Sequence, residues 1–120
     1  MLEVYIIAAL TDLVNGRVWP LVAPMGTGLP FITFQQVGGA TASSFCGETA
    51  RPNARMQINV WSRTALETTT IMLAAETALT SHIASSPNPP LRGVALGAFV
   101  AEYDETTSFY GARQDFSFWR

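Results

Sequence analysis

The sequence predicts an α+β fold: a mostly antiparallel β-sheet with two helices packed on one face, in the order α-β-β-β-α-β-β. Three observations carry that expectation. Met56, Ile58 and Val60 alternate with Arg55, Gln57, Asn59 and Trp61, the period of a half-buried strand. Thr64-Ala65-Leu66-Glu67 follows at once with the spacing of a capping box, and apolar residues then recur at helical intervals. The last part of the chain reads as strand, turn, strand, a plausible antiparallel hairpin. Strands joined by hairpins on both sides of a long helix favour helices gathered on one face of an antiparallel sheet.

Taken in order, Leu2 to Asn15 is predicted as the first helix. Leu2, Ile6, Ala9 and Leu13 form one stripe, Ile7, Leu10 and Val14 widen it, and Gly16 occupies the left-handed position after its end. A helix apolar on so much of its circumference wants cover on more than one side, part of which a neighbouring subunit could give. Arg17 to Pro24 reads as extended because Pro20 and Pro24 push their predecessors out of the helical region, with Trp19 anchoring the segment to the core. Met25-Gly26-Thr27-Gly28 is a loop and Pro30 opens a strand, Phe31 to Val37, with Ile32 and Phe34 on one face and Phe31, Thr33, Gln35 and Val37 on the other.

Gly38 to Asn53 is dominated by Gly, Ala, Ser and Thr. It reads as a long hairpin tip that orders on contact with something else, or as two strand extensions of a long hairpin. The central strand spans Ala54 to Ser62. The long helix, with Thr64 as N-cap, buries Ala65, Thr68, Met72, Ala75, Leu79 and Ile83 and runs to about Ala84. Ser85-Ser86-Pro87-Asn88-Pro89-Pro90 stops it. Gly93 to Tyr103 is the next strand, Asp104 to Thr107 a tight turn and Ser108 to Trp119 the last strand, with Tyr110, Phe116 and Phe118 on one face and Arg113, Asp115 and Ser117 on the other.

Composition bounds what such a domain can do. At 120 residues the chain is of single-domain length, and a domain of that size buries roughly 65% of its unfolded surface. Hydrophobic residues make up 48% and charged residues 13%, which excludes a disordered chain and leaves apolar surface for partners. All seven basic residues are Arg, they are scattered, and the net charge is −2, so the basic stripe of a free-standing nucleic-acid binder is missing and no specific nucleic-acid site is expected. Cys46 is the single cysteine, which fits a reducing compartment. The apolar run Val4 to Leu10 is too short to span a bilayer and has no basic residues before it, so a soluble, cytoplasmic protein without a membrane partner is expected.

Chemistry-bearing motifs are sparse. His82, the sole histidine, and Cys46 have no metal-ligand spacing, and Cys46 has no cation or histidine beside it to activate a thiolate. Glu102-Tyr103-Asp104-Glu105 is the one dense acidic group. It could hold a cation or act as an acid/base pair, but strand alternation splits Glu102 and Asp104 from Tyr103 and Glu105, which favours a solvated strand end. Gly38-Gly39-Ala40 lacks the Lys and helix of a phosphate loop. Trp61 and Trp119 are better read as packing than as ligand stacking. No catalytic constellation, cofactor or metal is expected.

The ordered segments nonetheless resemble a family. A first helix ending in Gly-Arg-Val leads to Trp19-Pro20-Leu21-Val22-Ala23-Pro24, then Leu29-Pro30-Phe31-Ile32-Thr33-Phe34, then Ala54-Arg55-Met56-Gln57-Ile58-Asn59-Val60-Trp61 running into the long helix. Glu102-Tyr103-Asp104-Glu105-Thr106-Thr107 and Gln114-Asp115-Phe116-Ser117-Phe118-Trp119 close the chain. Together they resemble the DUF3168 family of tailed-phage and prophage tail completion, or tail terminator, proteins. The resemblance implies a structural virion protein, assembled in the host cytoplasm and found in the virion tail. It would form a ring, a hexamer on the tail, that stops tube polymerisation and offers a surface to the head. Its partners would be further copies of itself, the tail tube protein and a head-completion or connector protein. No catalytic residues carry over. The Gly38–Asn53 segment is then the expected element for docking on the tube or on the neighbouring subunit, with Arg51 and Arg55 as polar anchors and Phe45 and Glu48 beside them. The alternatives are a head-completion or neck adaptor, and a small ligand-binding domain or enzyme using Glu102, Tyr103 and Asp104.

Overall fold

The computed structural model describes residues 2–40, 53–81 and 92–119. Among these the elements are α1 (Leu2–Leu10), a short 3-10 turn (Thr11–Leu13), β1 (Val18–Pro20), β2 (Phe31–Ala40), β3 (Asn53–Ser62), α2 (Ala65–Ser81), β4 (Arg92–Ala95), β5 (Val100–Asp104) and β6 (Phe109–Trp119). The strands make one sheet in the order β1-β2-β3-β6-β4, with β5 also paired to β6. Every pairing is antiparallel except β1 with β2. The α+β architecture expected from the sequence is the one observed.

The core follows from the alternation in β3. Met56, Ile58 and Val60 are buried, while Arg55, Gln57, Asn59 and Trp61 point the other way. Register places Ile58 beside Phe34 on β2 and Gln114 on β6, and Val60 beside Ile32 and Ala112. These residues join Phe116 and Phe118 of β6, Ile6, Leu10 and Val14 after the N-terminus, and Ile71, Met72, Ala75 and Leu79 of α2 in a single cluster. Both helices therefore lie on one face of the sheet. Each fully buried aliphatic or Phe side chain there contributes about 1.5–3 kcal/mol relative to exposure.

The start of α2 is fixed twice. The Glu67 amide donates to the Thr64 hydroxyl at 3.1 Å, the expected N-cap. The hydroxyls of Ser62 and Thr68 are hydrogen-bonded to one another and accompany the Thr64 and Tyr110 carbonyls, tying the first helical turn to β3 and β6. The buried stripe is Thr68, Ile71, Met72, Ala75 and Leu79. Ala65, expected to begin that stripe, is exposed because it borders an open cavity between the first turn of α2 and β5; Ile83 is outside the described residues. Near the other end the helix approaches β4 so closely that a Cβ on Gly93 would sit 2.4 Å from the Leu79 carbonyl oxygen and 2.8 Å from Phe118. Only a residue without a side chain fits there.

Several boundaries depart from the sequence reading. The first helix ends at Leu10, and the chain tightens into a 3-10 turn closed by a Gly16 amide bond to the Thr11 carbonyl at 2.8 Å. That bond spans the Schellman interval, so Asn15 (φ 54°) is the left-handed residue that closes the turn, with Gly16 (φ 82°) following it. The fully buried row is Ile6, Leu10 and Val14, one side of the stripe that was expected. β1 is only three residues long, and Val18 reaches the core where Trp19 was expected to; Trp19 is half-buried. It pairs parallel to β2 because loop 21–30 carries the chain back along the strand before β2 begins. Gly38, Gly39 and Ala40 pair with Arg55, Ala54 and Asn53 after a bulge at Val37, the strand-extension alternative for this hairpin.

The strand expected over Gly93 to Tyr103 is two strands. Ala95 pairs with Phe116 and Val100 with Arg113, so the residues between them form an outward bend along β6. Gln114 holds the bend: its Nε2 donates to the Gly97 carbonyl and to Glu76 Oε1, each at 2.6 Å.

Candidate assembly surface

With both helices on one side, the other side of the sheet is bare of helix among the described residues. Rows across it follow from the register. Gln35, Gln57 and Asp115 form one row, and Trp19, Thr33, Asn59, Arg113 and Val100 a second. Phe31, Trp61, Gly111 and Glu102 form a third. The middle is polar and internally bonded: Gln35 donates to Gln57 at 3.3 Å, and Arg55 reaches diagonally to Asp115, its Nη2 at 2.6 Å and Nε at 3.0 Å from one carboxylate oxygen. One end is aromatic. Phe31 and Phe109 meet edge to face with centroids 6.3 Å apart, and Trp61 lies over Gly111, whose backbone would leave a Cβ only 2.6 Å from the indole.

The two edges of the sheet are apolar. On β4, β5 and the bend between them, Val94, Leu96 and Val100 are about half exposed, and register places Val94 and Val100 on the helix-free side. Beyond β1, Leu21 and Val22 expose 67% and 77% of their surface, and Met25 is fully exposed. Sequence reasoning did not single out these residues; Val94 and Leu96 show the i, i+2 spacing of a strand, but nothing local marks that strand as an edge.

Two open cavities flank the β5 edge. One, about 330 Å³, lies between the start of α2 and β5 and is lined by Thr68, Phe99, Ala101, Tyr103 and Tyr110, the two tyrosine rings tilted at 50° with centroids 4.8 Å apart. The other, about 470 Å³, is bordered by Gln57, Gly97, Arg113, Gln114 and Asp115. In neither do acid and base groups converge on one point. Asp104 is committed to its turn, accepting from the Thr106 amide at 2.9 Å, and Tyr103 faces Tyr110 while Glu102 lies opposite Gly111. Among the described residues, no group of three or more His, Cys, Asp or Glu is placed to hold a metal ion, and no helix is long and apolar enough to cross a membrane.

Of the four residues expected at a docking surface, Phe45, Glu48 and Arg51 lie outside the described residues, as do Cys46 and His82. Arg55 is described, and it stands where the β2 and β3 arms approach their connecting segment, engaged with Asp115 on the helix-free face.

Comparison with known proteins gives the arrangement a context. A family model described as tail completion protein gp17 matches residues 6–120. Among solved structures, a chain from the virion of a native gene transfer agent particle is similar, with a TM-score of 0.69 at 20% identity, over 93% of this chain and 84% of that one. At that identity the likeness is one of fold. None of the curated proteins matches.

Proposed function

The chain belongs to the tail completion protein gp17 family, and we propose from that membership that it forms a ring closing the tail tube and joining it to the head. It is a structural protein of a phage-like virion tail. The finer reading has it assemble in the host cytoplasm as a six-membered ring on the tube end, stop tube polymerisation, and present its far side to a head-completion or connector protein. The observation that carries this reading is the family match across residues 6–120.

The surfaces are consistent with it. A ring needs two different patches on each subunit, repeated until the circle closes, and the sheet has apolar residues at both of its edges. Docking on the tube falls to the β2–β3 hairpin, with Arg55 near the start of β3 and Phe45, Glu48 and Arg51 in the segment between its arms. The role is non-catalytic: the work is done by shape and contact.

Electron microscopy of particles from a lysate lacking this gene tests the proposal. Tails of uncontrolled length, detached from filled heads, are expected. Tails of normal length beside leaking heads would move the protein to the neck, as an adaptor. Intact infectious particles would overturn the virion role altogether.

A further inference from the structure

The ring reading leaves open which surfaces meet, and the two edges of the sheet answer it. Resting on that reading, we propose that neighbouring subunits join edge to edge. The β1 edge and loop 21–25 of one copy lie against the β4–β5 edge of the next.

The topology supplies the geometry. β1 and the β4–β5 strands are opposite ends of a single sheet, so a copy rotated about a ring axis brings one edge to the other without either patch meeting itself. That is the head-to-tail arrangement a closed ring requires. The chemistry agrees. Sheet edges that must stay free carry Lys, Pro or inward charges; the β4–β5 edge instead leaves Val94, Leu96 and Val100 open to water, and although β1 carries Pro20, Leu21, Val22 and Met25 beside it are open as well, so contact there falls to side chains. These six are more than half of the eleven large apolar side chains exposed among the described residues, so the apolar surface is concentrated at the two edges.

Backbone conformation adds an independent sign. Leu21 has φ 63°, and the Val22 amide donates to the Pro20 carbonyl at 2.7 Å, which closes a γ-turn of the strained, positive-φ kind. Holding a leucine there costs about 1–2 kcal/mol. Leu21 is also exposed, so burial within the subunit does not offset that cost. Cover from a second copy does.

Charge and register complete the match. The row Val18, Ile32, Val60, Ala112, Ala101 crosses the sheet from edge to edge. Arg17 precedes that row at the β1 edge, and Glu102 follows it at the β5 edge with Asp104 and Glu105 close behind. Abutting two copies in register sets an arginine facing an acidic strand end. The Arg17 Nε is bonded to the Pro30 carbonyl at 2.8 Å, which holds the guanidinium at this corner.

The test uses full-length protein on tails. In a Cys46→Ser background, Val22→Cys and Val100→Cys are introduced together; both sites are exposed, so the fold is retained. A short bis-maleimide is added to assembled tails, and the products are separated under denaturing conditions and imaged in parallel before denaturation. A ladder of linked chains from the double variant, and none from either single variant, is expected. Adding Val100→Asp in place of the cysteine should lower the yield of joined particles about tenfold or more, since it sets a carboxylate in an apolar contact. Rings visible by microscopy without a ladder would overturn the edge-to-edge contact and leave the ring standing. Links from residue 22 or 100 to the tube protein would overturn it too, giving that edge to the tube. Tails without any ring would overturn the ring and the contact together.

Discussion

The two faces of the sheet are made by the same strands, residue alternating with residue, and they serve different ends. Facing the helices, Ile32, Phe34, Met56, Ile58, Val60, Ala112, Phe116 and Phe118 are all buried, and the one amide among them, Gln114, has both of its donor bonds met. Facing away, the same strands present Gln35, Arg55, Gln57, Asn59, Arg113 and Asp115, with Phe31, Trp61 and Phe109 gathered at one end and Trp19 at the β1 edge. Cohesion therefore resides on the helix side. The helix-free side and the two edges are released from holding the fold together, which is the condition for a surface to be shaped by a partner instead.

The largest effect that sharpens this contrast is Phe116→Ala. The ring is fully buried beside Phe118, and its loss should cost about 3–5 kcal/mol, read as a fall in the urea midpoint with an unchanged slope. Next comes a matched pair of glycine substitutions. Gly93→Ala drives a Cβ into the backbone carbonyl of Leu79, so helix and strand must separate, and a loss of about 1–3 kcal/mol is expected. Gly111→Ala meets the Trp61 ring on the opposite face. An indole at the surface can swing aside, so the loss should fall at about 1 kcal/mol, near the low end of the same range. If the two glycines cost the same, the helix-free face holds the fold as firmly as the core does, and the contrast between faces breaks.

Local chemistry made much of this legible from sequence alone. The β3 alternation, the Thr64 cap and the C-terminal hairpin are written in adjacent residues, and the structure carries each of them out. The order of such segments was enough to recognise a tail completion family. What escaped depends on distant partners. The bend between Ala95 and Val100 is held by Gln114 from another strand, and the parallel direction of β1 is set by the course of loop 21–30. Gly16 is left-handed after the first helix as its residue type signals, but Asn15 before it is left-handed too and closes the turn, which no local signal marks. Apolar edges could not be foreseen for the same reason: Val94, Leu96 and Val100 read as ordinary strand residues until the sheet order leaves them without a neighbour. Likewise the partner of Arg55, Asp115, is 60 positions away and follows only from the β3–β6 register.

That pair sets the smallest expected effect. Arg55 directs two donors at one oxygen of Asp115 from a diagonal position across β3 and β6, a geometry that favours the contact. Exposure works against it, since the two side chains retain 51% and 24% of their surface, and water screens such pairs to about 0.2–1 kcal/mol. Arg55→Ala should therefore shift unfolding by less than about 1 kcal/mol, and Asp115→Ala by a similar amount, with a double-mutant cycle isolating the coupling. Assembly should respond out of proportion. If Arg55 near the start of β3 meets the tube, Arg55→Ala lowers the fraction of tails joined to heads while Asp115→Ala, which frees the guanidinium, leaves that fraction intact or raises it. Equal assembly defects in the two variants would mean that the pair only stiffens the hairpin. A loss of stability well above 1 kcal/mol would place Arg55 among the residues that hold the sheet, and the division of labour between its faces would have to be redrawn.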